Sequence, residues 1–84
     1  MNVIDNPSLS RFELAVDGQA AFLNYERAPG TLRLMHTEVP QEFRGRGFGQ
    51  MLVKGALERG RAEGLRIVAV CPFVRAYLRK HPDG

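Results

Sequence analysis

Between Phe43 and Leu52 the chain reads FRGRGFGQML, with glycine at 45, 47 and 49 and arginine at 44 and 46. These residue types suit one kind of chemistry. Glycine lets backbone N–H groups come close to a ligand and adopt unusual dihedrals at little cost. If a helix begins here, its first amides have no intrahelical partner and its dipole is positive. Two guanidinium groups add charge. Together these make a cradle for an anion, above all a pyrophosphate. Two familiar phosphate motifs do not match. No Gly-Lys-Ser/Thr follows, and position 50, where a dinucleotide fingerprint would need glycine, is Gln50. The competing explanation is a glycine-rich surface turn, which leaves the two arginines unexplained.

Three other side chains have types that do chemistry. His36 has a side-chain type suited to accepting a proton, and Glu38 lies two residues on, on the same face of any strand. Cys71 precedes Pro72, which is common at the first position of a helix. A thiol at a helix N-terminus, with Arg75 and Arg79 one and two turns on, has the setting that lowers a thiol pKa. The packing alternatives are a core histidine with one hydrogen bond, a rim carboxylate and a small buried hydrophobe. For Cys71 the packing alternative carries a further argument: burial behind Ile67–Val70 would raise the thiol pKa and oppose the helix terminus. Tyr77 falls on the same short helix, as an aromatic that packs against the sheet. Arg79, Lys80 and His81 end that helix, either solvated or meeting phosphate.

The elements that must hold these residues follow from periodicity. Residues 10–16 alternate, with Phe12, Leu14 and Val16 on one face. Asp17-Gly18 is a hairpin turn, residues 19–27 form a second strand, and Pro29-Gly30 makes the next turn. Residues 31–39 form a third strand, with Leu32, Leu34 and His36 on one face and Met35, Thr37 and Val39 on the other. Apolar residues on both faces imply layers on both sides. Pro40 ends that strand. Past the glycine loop, Phe48, Met51, Leu52, Ala56 and Leu57 keep helical spacing, while Lys54, Glu58, Arg59 and Arg61 take the other side. Gly64 stops the helix. The apolar run from Arg66 to Cys71 is a buried parallel strand, and residues 74–80 form a short second helix. Residues 1–9 read as a loose lead-in. An antiparallel meander followed by helix, parallel strand and helix is an α+β domain, its crossover right-handed.

Composition narrows the class. The 84 residues are one domain, 44% hydrophobic and 25% charged. Residues 1–42 hold three Lys/Arg against six Asp/Glu, net −3, whereas 43–84 hold nine against three, net +6. The basic half begins at the glycine loop, which points to an anionic partner there. Three of the seven aromatics, Phe12, Phe22 and Tyr25, lie in the acidic half, away from the clustered arginines, and nucleic acid is not the expected partner. No apolar run approaches the roughly 18 residues of a membrane span, and the N-terminus lacks the pattern of a signal peptide. The single cysteine excludes an intrachain disulfide and a cysteine zinc cluster. The cytoplasm is the expected compartment, and a monomer or weak homodimer the expected state.

In this setting Arg44, Gly47 and Gly49 form the pattern R-x-x-G-x-G, which resembles the acyl-CoA loop of the GNAT superfamily of N-acetyltransferases. With His36-Thr37-Glu38-Val39-Pro40 before it and Cys71-Pro72-Phe73 after it, residues 12–82 resemble a family of very short GNAT-like proteins. The resemblance implies a minimal GNAT-like fold, in which the third and fourth strands splay and acetyl-CoA lies in the gap. It implies that pantetheine pairs with backbone near Val39 and that the pyrophosphate takes amides from Arg44, Gly45, Arg46, Gly47, Phe48, Gly49 and Gln50. It points the thioester at the region of Cys71, places Tyr77 near the position of an acid for the CoA thiolate, and implies an amine acceptor. His36 is then a base candidate, and Cys71 a nucleophile candidate in a superfamily where transfer is usually direct. Full-size GNAT enzymes carry further C-terminal strands that shape the acceptor site, so the acyl-CoA half is the part expected here. A non-catalytic acyl-CoA-binding module is the alternative.

Overall fold

The computed structural model describes residues 2–82. One mixed sheet runs in the order β1 (Ile4–Asn6), β2 (Arg11–Val16), β3 (Gln19–Ala28), β4 (Thr31–Glu38), β5 (Arg66–Ala69). The first four strands are antiparallel, and β5 is parallel to β4. Helix α1 (Phe48–Ala62) makes the crossover, and α2 (Pro72–Lys80) follows β5. The expected α+β architecture is therefore present. In the hairpin, Asp17 and Gly18 both take positive φ, 49° and 78°, the pairing whose twist matches the flanking strands. No helix among the described residues is long and apolar enough to cross a membrane.

Alternation on β2 and β3 buries Phe12, Leu14, Val16, Ala21, Leu23 and Tyr25 on one face. Leu32 and Leu34 of β4 continue that layer, and Leu52, Val53, Ala56 and Leu57 of α1 close it with Val74 of α2. Gly60 brings α1 close to the sheet, since a Cβ there would stand 2.5 Å from Ile67 Cδ1. Met51, assigned by its spacing to the apolar stripe, is instead 36% exposed.

Four features differ from the sequence reading. The stretch expected as a loose lead-in carries β1, which pairs with β2, and a 3-10 turn at Pro7–Leu9. The buried Asp5 carboxylate holds it in place, accepting from Tyr25 Oη at 2.6 Å and Arg27 Nη2 at 3.3 Å. Both helices pack on the Leu32/Leu34 face. The opposite face, with Glu26, Arg33 and His36, is open to solvent rather than covered. The strand expected over 66–71 ends at Ala69, and α2 begins two residues early, at Pro72.

The fourth difference is a β-bulge. Asn24 pairs with His36 and Tyr25 with Leu34, so Met35 is an extra residue on β4. Side-chain parity flips there. Thr37, opposite the buried Leu23, turns inward, while His36 turns to the open face. The expected sharing of a face by Leu32, Leu34 and His36 is overturned, whereas His36 and Glu38 do share one.

Candidate functional site

The β4–β5 ladder ends at Leu34 and Ala69. The Val70 and Cys71 amides both donate to Leu34 O at 3.0 Å, and the chain then turns into α2. β4 runs on to Glu38, so its far half has β3 on one side and no β5 partner on the other. The expected splay is thus the result of β5 being shorter than β4. Above it lies a cleft of about 580 Å³, bounded by His36–Val39, the loop from Phe43 to Gln50, and Phe73.

The loop is pinned at both ends. Phe43 is buried, and its ring meets that of Phe48 edge-on at 6.1 Å. Gly47 is the N-cap of α1, at φ 85° and ψ 6°, and no side chain caps the helix. The first helical bond runs from Met51 N–H to Gly47 O at 3.1 Å. The amides of Phe48, Gly49 and Gln50 therefore have no helical acceptor, and the positive helix end faces the cleft. Gly49 lets the Phe73 ring come close: a Cβ there would lie 2.8 Å from Phe73 Cζ, and the ring would have to shift. This set of donors fits a pyrophosphate, the central group of acyl-CoA.

Of the residues expected to hold that ligand, Val39, Arg44, Gly45, Gly47, Phe48, Gly49 and Gln50 line the cleft. Arg46 does not; its guanidinium sits 5.8 Å over the Phe43 ring. Arg44 donates from Nε to Val39 O at 3.2 Å and approaches Glu38 at 3.8 Å, which ties the loop to the end of β4.

His36 lines the same cleft, with its side chain 61% exposed, and Nε2 lies 2.7 Å from Glu38 Oε2. A carboxylate only accepts, so Nε2 carries the hydrogen, and in the neutral ring Nδ1 has a lone pair. Cys71 is 4% exposed and is the N-cap of α2. Its Sγ lies 3.6 Å from Thr37 Oγ1, joining the two sides of the splay. Burial pushes the Cys71 thiol up, but the Val74 amide, the Thr37 hydroxyl and the Phe73 amide outweigh it, and the pKa is lowered. The opposition expected between burial and the helix terminus is present, and the hydrogen bonds prevail. Tyr77 opens on a small recess next to the cleft and stacks on His81, with ring centroids 4.4 Å apart.

Thr37 and Phe73 also belong to the site, although the sequence assigns neither a role. Thr37 carried no signal because strict alternation places it away from the core, and only the bulge turns it inward. Phe73 had a signal, an apolar residue beside a helix-starting proline, but its packing on Gly49 is tertiary.

Comparison with known proteins agrees with this geometry. A family profile described as a GCN5-related N-acetyl-transferase matches residues 11–84. The chain is 38% identical over 52 residues to Protein NATD1 of Xenopus tropicalis, covering 62% of this chain and 48% of that protein. It is 39% identical over 49 residues to Protein NATD1 of Gallus gallus, covering 58% and 44%. With Protein NATD1 of Danio rerio it shares 31% over 75 residues, covering 86% and 68%. The chain thus spans about half the length of the first two of these relatives. A match over nearly the whole chain, on a fold with a splayed β4–β5 pair and an uncapped glycine-loop helix, leads to one conclusion: the chain belongs to the GCN5-related N-acetyltransferase family.

Proposed function

We propose that the chain binds acetyl-CoA in the β4–α1 cleft and transfers the acetyl group to an amine, on a small molecule or a protein lysine. One observation carries the reading. Free amides at a helix N-terminus, the unpaired half of β4 and a hydrogen-bonded His–Glu pair all open on the same cleft. The pyrophosphate sits on the amides of Phe48, Gly49 and Gln50. The pantetheine arm runs down the splay along the free edge of β4 near Val39, replacing the strand that β5 does not supply. Holding amine and thioester together in this gap provides much of the rate.

In the chemical step the amine nitrogen attacks the thioester carbonyl, and the C–S bond breaks as the amide forms. His36 Nδ1 takes the proton that nitrogen loses, and solvent relays one to the departing thiolate, so protons balance. Glu38 orients the ring and stabilises the imidazolium. Transfer is direct, with Cys71 a wall of the thioester pocket rather than an obligatory nucleophile.

Isothermal titration with CoA, followed by turnover of acetyl-CoA against a panel of amines, tests this. Saturable binding that moves amide shifts most between Gly45 and Gln50 is expected, with His36→Ala losing about 10²-fold or more in turnover. Largest shifts in residues 10–30 would place the ligand elsewhere. The second reading, an acyl-CoA-binding module, draws on the exposure of His36, which leaves the base in open solvent. Binding with no turnover across the panel would favour it.

A further inference from the structure

β5 is the last strand in the sheet, and among the described residues only β4 pairs with it. The amides of Arg66 and Val70 donate inward, to Gly30 O at 2.9 Å and Leu34 O at 3.0 Å. Successive residues of a strand turn their N–H and C=O groups to opposite sides. Ile67 and Ala69 therefore present theirs to the free edge. A side chain reports the same orientation: Arg75 reaches over from α2 and donates from Nε to Ala69 O at 3.0 Å. Ile67 N–H, Ile67 O and Ala69 N–H have no strand beyond them. An edge in this state is a template for another extended segment.

The charges around the edge select the segment. Arg66 is exposed at the start of β5, and Arg75 closes its end. Arg79 stands at i+4 from Arg75, on the same row of α2 and also exposed. Among the described residues none of these three arginines forms an ion pair. A second copy of the chain is a poor occupant. Two β5 edges paired antiparallel about a twofold axis would set Arg66 of each copy toward Arg75 of the other, and like charges facing each other destabilise a ladder.

We propose that the free edge of β5 docks an acidic, extended segment of another protein by strand addition. The segment's backbone bonds to Ile67 and Ala69, and its carboxylates meet Arg66, Arg75 and Arg79. Arg75 gives up Ala69 O for a carboxylate, which frees that carbonyl for the incoming strand. None of these residues lines the β4–α1 cleft, so the proposal stands apart from the acyl-CoA reading.

The probe is a capped peptide alternating glutamate and valine, titrated into the full chain and followed by amide NMR. Two controls accompany it: the same peptide with lysine in place of glutamate, and a fully N-methylated form that has no N–H to donate. The largest shifts and slowed hydrogen exchange are expected at Ile67 and Ala69, with affinity falling as salt rises. Arg66→Gln and Arg79→Gln should each weaken binding about two- to fivefold. Arg66→Glu combined with Arg79→Glu should transfer the preference to the lysine peptide. Shifts centred on residues 45–50 would mark anion binding at the α1 terminus and overturn the proposal. Equal binding of the N-methylated form would show charge attraction without strand pairing and overturn it too, as would equal binding of the lysine peptide or no binding of the glutamate peptide. Concentration-dependent shifts at Ile67 in the chain alone would assign the edge to a second copy and not to an acidic partner.

Discussion

At Cys71 two effects oppose each other, and their order decides the residue's chemistry. Burial favours the neutral thiol, while the Val74 and Phe73 amides and the Thr37 hydroxyl favour the thiolate and prevail. Alkylation rate against pH, followed by intact mass, should therefore give a midpoint below that of an ordinary thiol. Thr37→Val should move it upward, and Thr37→Ser should hold it in place. A purely packing role for Thr37 would leave the midpoint unmoved. The sign for stability follows from the same shift. With a folded pKa below the unfolded one, unfolding takes up a proton between the two values. Stability then rises with pH across that window and is lost as pH falls through the folded pKa; Cys71→Ala removes this dependence. Low thiol pKa does not make Cys71 the nucleophile. Under direct transfer Cys71→Ala keeps measurable turnover, whereas a hydroxylamine-sensitive acetyl group on Cys71 that chases onto added amine would establish a two-step reaction.

The loop and helix from Phe43 to Ala62 act as one element, and two glycines set its shape for different reasons. Gly47 stands at φ 85°, where a residue with a Cβ is strained by roughly 1–2 kcal/mol. Its open surroundings leave the folded chain room for a side chain. Gly47→Val should therefore fold, with slightly lower stability, and lose CoA binding in calorimetry because the branch stands at the approach to the amides. Unchanged affinity would mean that backbone donors do not hold the ligand. Gly49→Ala acts through a neighbour, pushing the Phe73 ring out of its place at the cleft; it should weaken CoA binding. This element was legible because its signals are local: glycine positions, helical spacing from Phe48, and Gly64, which takes φ 71° past the helix end.

Across the whole molecule the N-terminal strand is fastened by charge and hydrogen bonding. Asp5 accepts from Tyr25 Oη and Arg27, and Arg27 also pairs with Glu63 at the end of α1 at 2.8 Å. Asp5→Ala leaves the half-buried Tyr25 hydroxyl without this partner and frees β1. We expect a loss of about 1–3 kcal/mol, where each kcal/mol lowers Tm by about 4–8 °C in a domain of this size. CoA affinity should be unchanged, since β1 lies at the opposite sheet edge from the cleft. A denaturation curve identical to that of the native chain would show that β1 is not fastened in this way.

The sequence by itself determined the order of strands and helices from Phe12 onward, the two turns at Asp17-Gly18 and Pro29-Gly30, and the glycine loop that opens α1. Each depends on spacing within a dozen residues, and a local pattern is enough to specify it. Tertiary structure decided the rest. Three residues of β1 are too few to show a period, and they become a strand only because β2 offers an edge and Asp5 finds Tyr25. The extra residue at Met35 is visible only against β3, and it turns His36 outward and Thr37 toward Cys71. The splay exists because β5 stops at Ala69 while β4 continues to Glu38. Strand register and unequal strand lengths are relations between distant segments, which no periodicity along one segment records.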